Sequence, residues 1–597
     1  MACALWSRIN RGACKAYFPI TDSAAKFSSC LPECCRSIWA RLTYFEGFSR
    51  NSLIAVKVAR FPRARQRGTL PWRVTQAGRD SDRIGARMLL YAIVLGLIVL
   101  TLLGVSLARL GSVKTKADYL VAGRSLSAFV LVFTLLSSWI GSGSLLGGAE
   151  NAYKHGFAAL WQAGGGWAGL LLIYFIAPRA RKFARFTIPD LLELRYNQTA
   201  RVLGVIAVLF TYTAITSYQF IGGGDILHMI FPQVTARSGQ VILACFVTLF
   251  TAIAGMGSVA YMDVVIGLLA TFTMIVALPV LIHLGGGWSQ VRAALPASHF
   301  QIFGDLRLFR SYYAAPATAG GAPQLVQSAF AIFLPTCLLM LGNQSMYQKF
   351  FSARSEEAAR RATVGWIIGT VILESIIVAI AVVGSALFKS GEVQARPREV
   401  LAYTAIHAFG GWSGTGSGSK PLAILGALLV GAIFAKVVST ANNYLFSPAT
   451  NLVNDIFVRY LKPEAGNREV LLVSRLMVGA LGAWALYQSL GTTSVLQKSL
   501  YAYTIYSAAL TPVILAAFFW PRATGKGAVA SIAAGTVITV SWDWITPHLP
   551  ATLAATDAIV PALVVSLLSL FVTSLMTAPP DQSLLRSFED EDVSVKA

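Results

Sequence analysis

The sequence predicts an all-α polytopic membrane protein with about thirteen transmembrane helices, and three observations carry that prediction. Of 597 residues, 55% are hydrophobic and 13% charged, about half the charged fraction (roughly 25%) of a soluble globular protein. From residue 88 onward, apolar stretches long enough to cross ~30 Å of hydrocarbon recur with little polar sequence between them. Two of these stretches are interrupted by glycine and proline at comparable places. Collagen-like, disordered, coiled-coil and disulfide-scaffold classes are excluded.

The predicted spans are 88–109, 126–148, 158–178, 201–228, 238–257, 260–284, 327–347, 362–388, 421–446, 469–490, 497–520, 525–546 and 556–577. An odd count puts the two ends of this region on opposite sides. Connections starting at 110, 178, 347, 447 and 520, with the tail after 578, hold twice the Lys and Arg of the opposite set. The positive-inside rule then places the C-terminus in the cytoplasm and the protein in the plasma (inner) membrane.

Residues 1–87 form a basic, Cys-containing extension with 16 Lys and Arg against 5 Asp and Glu. That charge resists translocation. Met88 opens directly into the first span, so the extension is expected to come from an upstream start codon, with an organelle transit peptide or a cytoplasmic leader as the alternatives. Cys34 and Cys35 would be palmitoylation candidates in such a leader. The seven cysteines show no CxxC pair, hence neither a zinc site nor a disulfide framework. Residues 579–597 form an acidic tail ending the chain beyond the 88–578 transmembrane domain. The overall charge of +22 sits between apolar spans and at the leader, which favours the lipid bilayer over nucleic acid as partner.

The second span contains Gly141-Ser142-Gly143-Ser144-Leu145-Leu146-Gly147-Gly148, and the seventh contains Pro335 followed by Gly342-Asn343-Gln344-Ser345. Glycine and proline weaken helices, and unwound backbone survives at membrane depth only where it lines a cavity or is buried in protein. Two interrupted helices five spans apart point to an inverted-repeat transporter with its site near the midplane. Small-residue packing faces are the competing explanation. Gly141-x-Gly143-x-x-x-Gly147 has one residue too many for a dinucleotide fingerprint. The His residues are scattered, and Asn197-Gln198-Thr199 lies on the predicted cytoplasmic side, where it would not be glycosylated.

Ala117-Asp118-Tyr119-Leu120-Val121-Ala122-Gly123-Arg124-Ser125-Leu126, Thr187-Ile188-Pro189-Asp190-Leu191-Leu192-Glu193-Leu194-Arg195-Tyr196, Gly342-Asn343-Gln344 with Gln348-Lys349, and Val438-Ser439-Thr440-Ala441-Asn442-Asn443 running on to Asn454-Asp455 resemble the sodium:solute symporter family. That family includes proline, pantothenate and glucose symporters. The resemblance implies a LeuT-type fold with 5+5 inverted repeats, spans two to six and seven to eleven. It implies a sodium site made by the carbonyls of Ser137 and Ile140 with the hydroxyls of Ser439 and Thr440. Hard oxygen ligands of this kind suit sodium.

Two departures bear on the coupling ion. Trp139 stands where proline symporters carry an aspartate, and Lys436 stands where a small residue is expected. Lys436 shares a helical face with Ser439 and Thr440. An ammonium at a span centre costs on the order of 2.5–3.5 kcal/mol and marks function by default. Its expected partner is Asp263, and the Lys436 ammonium would occupy or compete for the cation position, which would couple transport to protons. The alternative is that Lys436 snorkels while its carbonyl binds sodium.

For the solute, the resemblance implies Ser142, Ser144, Thr336, Met340, Asn343 and Gln344, with Trp161 and Gln162 as weaker candidates. This set offers hydroxyls and amides but no fixed charge, and suits a small neutral or zwitterionic solute. The expected function is a secondary active symporter, driven by a sodium gradient or by protons, with no cofactor. A solute sensor without coupled flux is the alternative. An intramembrane enzyme is disfavoured, because no paired carboxylates, metal-ligand cluster or activated nucleophile appears in the spans.

Overall fold

A computed structural model describes residues 72–585, apart from 111–114, 183–186, 254, 310, 315–323, 390–391, 411–419, 492–493, 551–555 and 583–584. Most of the leader, with its cysteines, and the acidic run Glu589–Asp592 lie outside the described residues. The helices that matter here are α1 (Trp72–Leu110), α2 (Ala128–Trp139), α3 (Ala149–His155), α4 (Leu160–Lys182), α5 (Gln198–Ile230), α6 (Ala236–Ile253) and α7 (Met256–Leu284). They continue as α8 (Ala329–Gly342), α9 (Gln344–Ser352), α10 (Glu356–Leu387), α11 (Lys420–Asn451), α12 (Asn467–Leu490), α13 (Val495–Ala509), α14 (Thr511–Phe519), α15 (Gly525–Ile545) and α16 (Ile559–Met576). Among the described residues, twelve helical stretches are long and apolar enough to cross a membrane. The predicted span 126–148 is missing from that dozen because the structure divides it: α2 is short and apolar, and Gly143–Arg181 runs together as the next stretch. A two-stranded antiparallel pair, Tyr312–Ala314 with Gln324–Val326, interrupts the otherwise helical chain between α7 and α8.

Burial sorts the helices into a core and a lipid-facing shell. On α1, Leu89, Ile93, Leu97 and Leu100 point outward at helical spacing while Tyr91, Leu95 and Leu102 are buried. In contrast α11 is buried almost continuously from Gly426 to Asn451, and α13 is buried from Ser499 except at Tyr501. A helix that is polar at several positions and yet enclosed must satisfy those groups internally. Helix α2 packs against α7, α10 and α11; α8 packs against α4 and α13; α5 packs against α11.

Both broken helices open on the same residues. Ser127-Ala128-Phe129 starts α2 and Ser328-Ala329-Phe330 starts α8, each serine acting as N-cap: Ser127 Oγ accepts from Val130 N at 3.5 Å and Ser328 Oγ from Ala331 N at 3.1 Å. Each then breaks. After Trp139 the chain turns at Ile140 (φ −82°, ψ 91°), then resumes as a π-helical segment, Gly143–Gly148, leading into α3. After Gly342 it turns at Asn343 (φ −63°, ψ 110°). Pro335, a candidate breaker, instead lies inside α8. The turn falls at Asn343 because its side chain caps the following helix, its Oδ1 accepting from Ser345 N at 3.0 Å and Met346 N at 3.4 Å. Asn197, of the apparent glycosylation sequon, is the N-cap of α5, its Oδ1 accepting from Ala200 N at 2.9 Å.

Candidate functional site

At the first break, helix α2 frees the carbonyls of its last turn, and α11 crosses directly over them. Thr440 Oγ1 lies 2.9 Å from Ser137 O and 3.4 Å from Ile140 O, and Ser439 Oγ lies 3.4 Å from Ser137 O. The approach depends on Gly141: a Cβ there would come within 2.5 Å of Thr440 Oγ1. All four sequence-predicted oxygen donors therefore converge. Asp263, on α7, stands behind them. Its carboxylate accepts from Thr134 Oγ1 at 2.5 Å, from Asn443 Nδ2 at 3.3 Å and from Ser439 Oγ.

Lys436 is wholly buried at the same place, but its expected pairing is corrected. Its Nζ donates to Ser137 Oγ at 3.3 Å, and among the described residues no direct ion pair joins it to Asp263. Thr134, Ser439 and Asn443 take up the carboxylate oxygens, and Ser137, which accepts from Lys436, donates to the backbone carbonyl of Asp263 at 3.1 Å. The sequence reading also missed a second buried cation. Lys349 of α9 donates to Asn443 Oδ1 at 2.8 Å and to Ser345 Oγ at 3.1 Å, and Asn443 in turn reaches Asp263. Two lysines and one aspartate thus share one enclosed network. Its visible signal was a Lys in a predicted membrane-end segment, which the eye reads as an interfacial charge.

The solute candidates separate. A small, partly open cavity is lined by Trp139, Ser144, Gly148, Ala159, Gln162, Ala163, Thr336, Glu374, Ile377, Val378 and Tyr503. Ser144, Thr336 and the weaker candidate Gln162 reach it; the other five do not. Ser142 packs against Gly222 of α5, with its N–H donating to Gln219 Oε1 at 2.7 Å. Met340 fills the crossing of α8 with α4 at Gly169. Asn343 is consumed in capping, with Nδ2 donating to Tyr444 Oη at 2.8 Å. Gln344 Oε1 accepts from Ile188 N at 2.5 Å. Trp161 Nε1 donates to Ile302 O at 2.9 Å. The expectation of no fixed charge is also corrected, because Glu374 on α10 faces the cavity. Its signal was plain in Val371-Ile372-Leu373-Glu374-Ser375-Ile376-Ile377, a lone carboxylate within an apolar span.

Comparison with known proteins decides the family. The profile of the sodium:solute symporter family matches residues 119–535. The chain belongs to the sodium:solute symporter family. It is 24% identical over 504 residues to a sodium/proline symporter of Haemophilus influenzae, covering 80% of this chain and 93% of that one. It is likewise 24% identical over 502 residues to the high-affinity proline transporter PutP of Bacillus subtilis, covering 79% and 95%. Among solved structures, it superposes on a Na+-coupled sialic acid symporter with a TM-score of 0.66 and 17% identity, covering 83% of this chain and 99% of that one. The LeuT-type fold is therefore present, and the protein is a secondary transporter of a sodium-coupled family and not an enzyme.

In this symporter the motif residues 187–196 and Asp455 meet around Arg201. Arg201 of α5 is 4% exposed and binds Asp455 at 2.6 Å, Asp190 at 3.3 Å and Glu193; Arg459 binds Glu193 at 2.6 Å. Thr187 caps the short helix Ile188–Arg195 and also donates to Asp455 Oδ1 at 2.9 Å. Arg195 reaches the carbonyls of Trp520 and Pro521 at 3.3 and 3.0 Å. The symporter motif 187–196 is thus the element that ties α5, the segment Leu452–Leu461 that follows α11, and the α14–α15 connection together. The motif 117–126 is also structural: its Asp118 forms a reciprocal capping box with Thr115, just ahead of it.

Proposed function

We propose that this symporter carries a small zwitterionic solute of the amino-acid type, driven by sodium bound at the carbonyls of Ser137 and Ile140 and the hydroxyls of Ser439 and Thr440. Residues 88–578 form the transport domain, in the plasma membrane with the C-terminus in the cytoplasm. The observation that carries the reading is the convergence of four uncharged oxygens at a helix break, with the Asp263 carboxylate behind them. Such a set stabilises a hard monovalent cation without burying excess negative charge. The relatives named above are proline symporters, which makes L-proline the first solute to test.

Lys436 adds competition. Two unit charges ~5 Å apart repel by roughly 3 kcal/mol at an effective dielectric of ~20, about two orders of magnitude in affinity. Sodium and the Lys436 ammonium therefore exclude one another, and sodium entry requires the ammonium to withdraw or to release its proton. A second reading, in which protons replace sodium, is favoured by the Lys436 Nζ to Ser137 Oγ contact of 3.3 Å.

Uptake into proteoliposomes tests both. L-proline and a panel of amino acids, sugars, carboxylates and nucleobases are offered under imposed gradients, with sodium or with choline. The sodium reading expects uptake that fails in choline and is abolished by Ser439→Ala with Thr440→Ala. Uptake unchanged in choline and driven by an inward proton gradient would establish the proton reading instead.

A further inference from the structure

Helix α10 contributes a wall of the cavity that neither broken helix supplies, and its polar group is Glu374. The side chain is 4% exposed, and its carboxylate is held by three neutral donors: Trp139 Nε1 at 2.9 Å and Ser144 Oγ at 3.0 Å on Oε1, and Trp167 Nε1 at 2.8 Å on Oε2. An indole N–H can only donate, so both oxygens act as acceptors, and an ionised carboxylate with about four lone-pair sites keeps capacity for another donor. None of these partners supplies positive charge. A carboxylate within a membrane span calls for a cation as partner.

The other groups on the cavity wall suit the same partner. Gln162, on α4, is 7% exposed, and its Oε1 is buried with no hydrogen-bond partner. On the cavity wall the rings of Trp139 and Tyr503 lie nearly parallel, 25° apart with centroids at 6.2 Å, and aromatic rings attract cations. The close approach of Tyr503 requires Gly143, where a Cβ would meet the phenol oxygen at 2.6 Å. A carboxylate and an unsatisfied amide oxygen, with two aromatic rings beside them, make the wall rich in acceptors, and Ile377 and Val378 give it an apolar side.

We propose that Glu374 binds the ammonium of the solute, and that the substrate class is a protonated primary or secondary amine on a compact apolar body, rather than a sugar, a nucleobase or a simple carboxylate. This rests on the reading that the cavity is the solute site of a symporter.

Full-length protein in proteoliposomes and in detergent tests the assignment, with L-proline, pyrrolidine and cyclopentanecarboxylate as probes and tryptophan fluorescence as readout, since Trp139 and Trp167 both bond Glu374. L-proline and pyrrolidine are expected to change the fluorescence and cyclopentanecarboxylate is not. Glu374→Gln should weaken both amines at least 30-fold while sodium still raises the melting temperature as in the wild type. Glu374→Asp should retain selectivity for amines at reduced affinity, which separates loss of charge from loss of fold. Amine affinity within twofold of wild type in Glu374→Gln overturns the proposal, including the case where only the response to a pH gradient is lost and Glu374 is a proton site. Sodium-driven uptake of sugars or nucleobases but not amines overturns it and leaves the symporter reading intact. No sodium-dependent or proton-dependent uptake of any panel member overturns that reading and the proposal with it.

Discussion

At the first break the carbonyls of Ser137 and Ile140 are met by the hydroxyls of Ser439 and Thr440; at the second, phenols fill the gap. Tyr506 Oη donates to Gly342 O at 2.6 Å and accepts from Gln344 N at 3.2 Å, bridging the two half-helices. Tyr212 Oη donates to Asn343 Oδ1 at 2.7 Å and accepts from Ser345 N at 3.1 Å. Tyr347 and Thr511 donate to Leu341 O and Leu338 O at 2.9 and 2.7 Å. Four orphan carbonyls at a helix end need partners, and here rigid side chains from α13 and α5 supply much of what the second break needs. The hydroxyls over the first break sit on short side chains beside a carboxylate and a lysine, where they can turn their lone pairs toward a cation. Equivalent discontinuities thus differ in how they are filled: the second is a joint, and the first is the one we propose as the ion site.

The largest test of that contrast is Asn343→Ala. It removes an N-cap, worth about 1 kcal/mol, and strands the Tyr212 and Tyr444 hydroxyls, at about 1–3 kcal/mol each. A loss of about 4 kcal/mol is expected as a depressed melting temperature, with any surviving protein keeping its sodium affinity. Ser439→Ala with Thr440→Ala should do the opposite, raising the sodium concentration for half-maximal uptake by at least about 100-fold, or ~2.7 kcal/mol, so that uptake is lost at ordinary sodium, with a smaller change in melting temperature. A stability loss in place of an affinity loss would show that the first break is also a joint.

Lys436→Met sharpens the comparison, since it removes the competing charge. Half-saturation by sodium should fall by up to about 100-fold, following the repulsion estimated above, and inhibition of uptake by external acid should disappear. An unchanged sodium curve would show that Lys436 stays clear of the ion. Tyr506→Phe should cost about 1–3 kcal/mol of thermal stability by leaving Gly342 O unpaired, without altering sodium dependence.

The smallest effect concerns the network around Arg201. Burial pushes the Glu193 carboxyl upward, but hydrogen bonds and charge from Arg201 and Arg459 outweigh it and hold the group below its ordinary value of 4.5. A carboxylate lowered in the folded state adds stability that is complete at neutral pH and is lost as pH falls through the lowered value. Melting temperatures of wild type and Glu193→Gln should therefore converge on acidification below about pH 4.5.

Much of the fold was legible because a bilayer imposes simple rules. Span length, positive charge between spans and the double interruption are read directly from residue types, and motif order carried the family. Site legibility was uneven. Ser137, Ile140, Ser439 and Thr440 were named through the resemblance to the symporter family, since a membrane hydroxyl taken alone as often bonds its own helix, as Thr216 and Thr363 do. Asn343 and Gln344 look the same in sequence whether they bind solute or cap a helix; their partners, Tyr212, Tyr444 and Ile188, lie over 100 residues away in the chain.

The sequence by itself determined that this chain crosses a membrane many times, that two of its helices are interrupted by glycine and proline, and that Lys436 and Asp263 are ionisable types set within apolar spans. These follow from local composition, where each residue's transfer cost acts wherever the chain folds. Only the tertiary structure decided that Asp263 is held by hydroxyls and amides and not directly by Lys436, that Lys349 joins them, and that Glu374 faces the cavity. Those outcomes depend on which helices cross and at what rotation, a property of packing that no single segment contains.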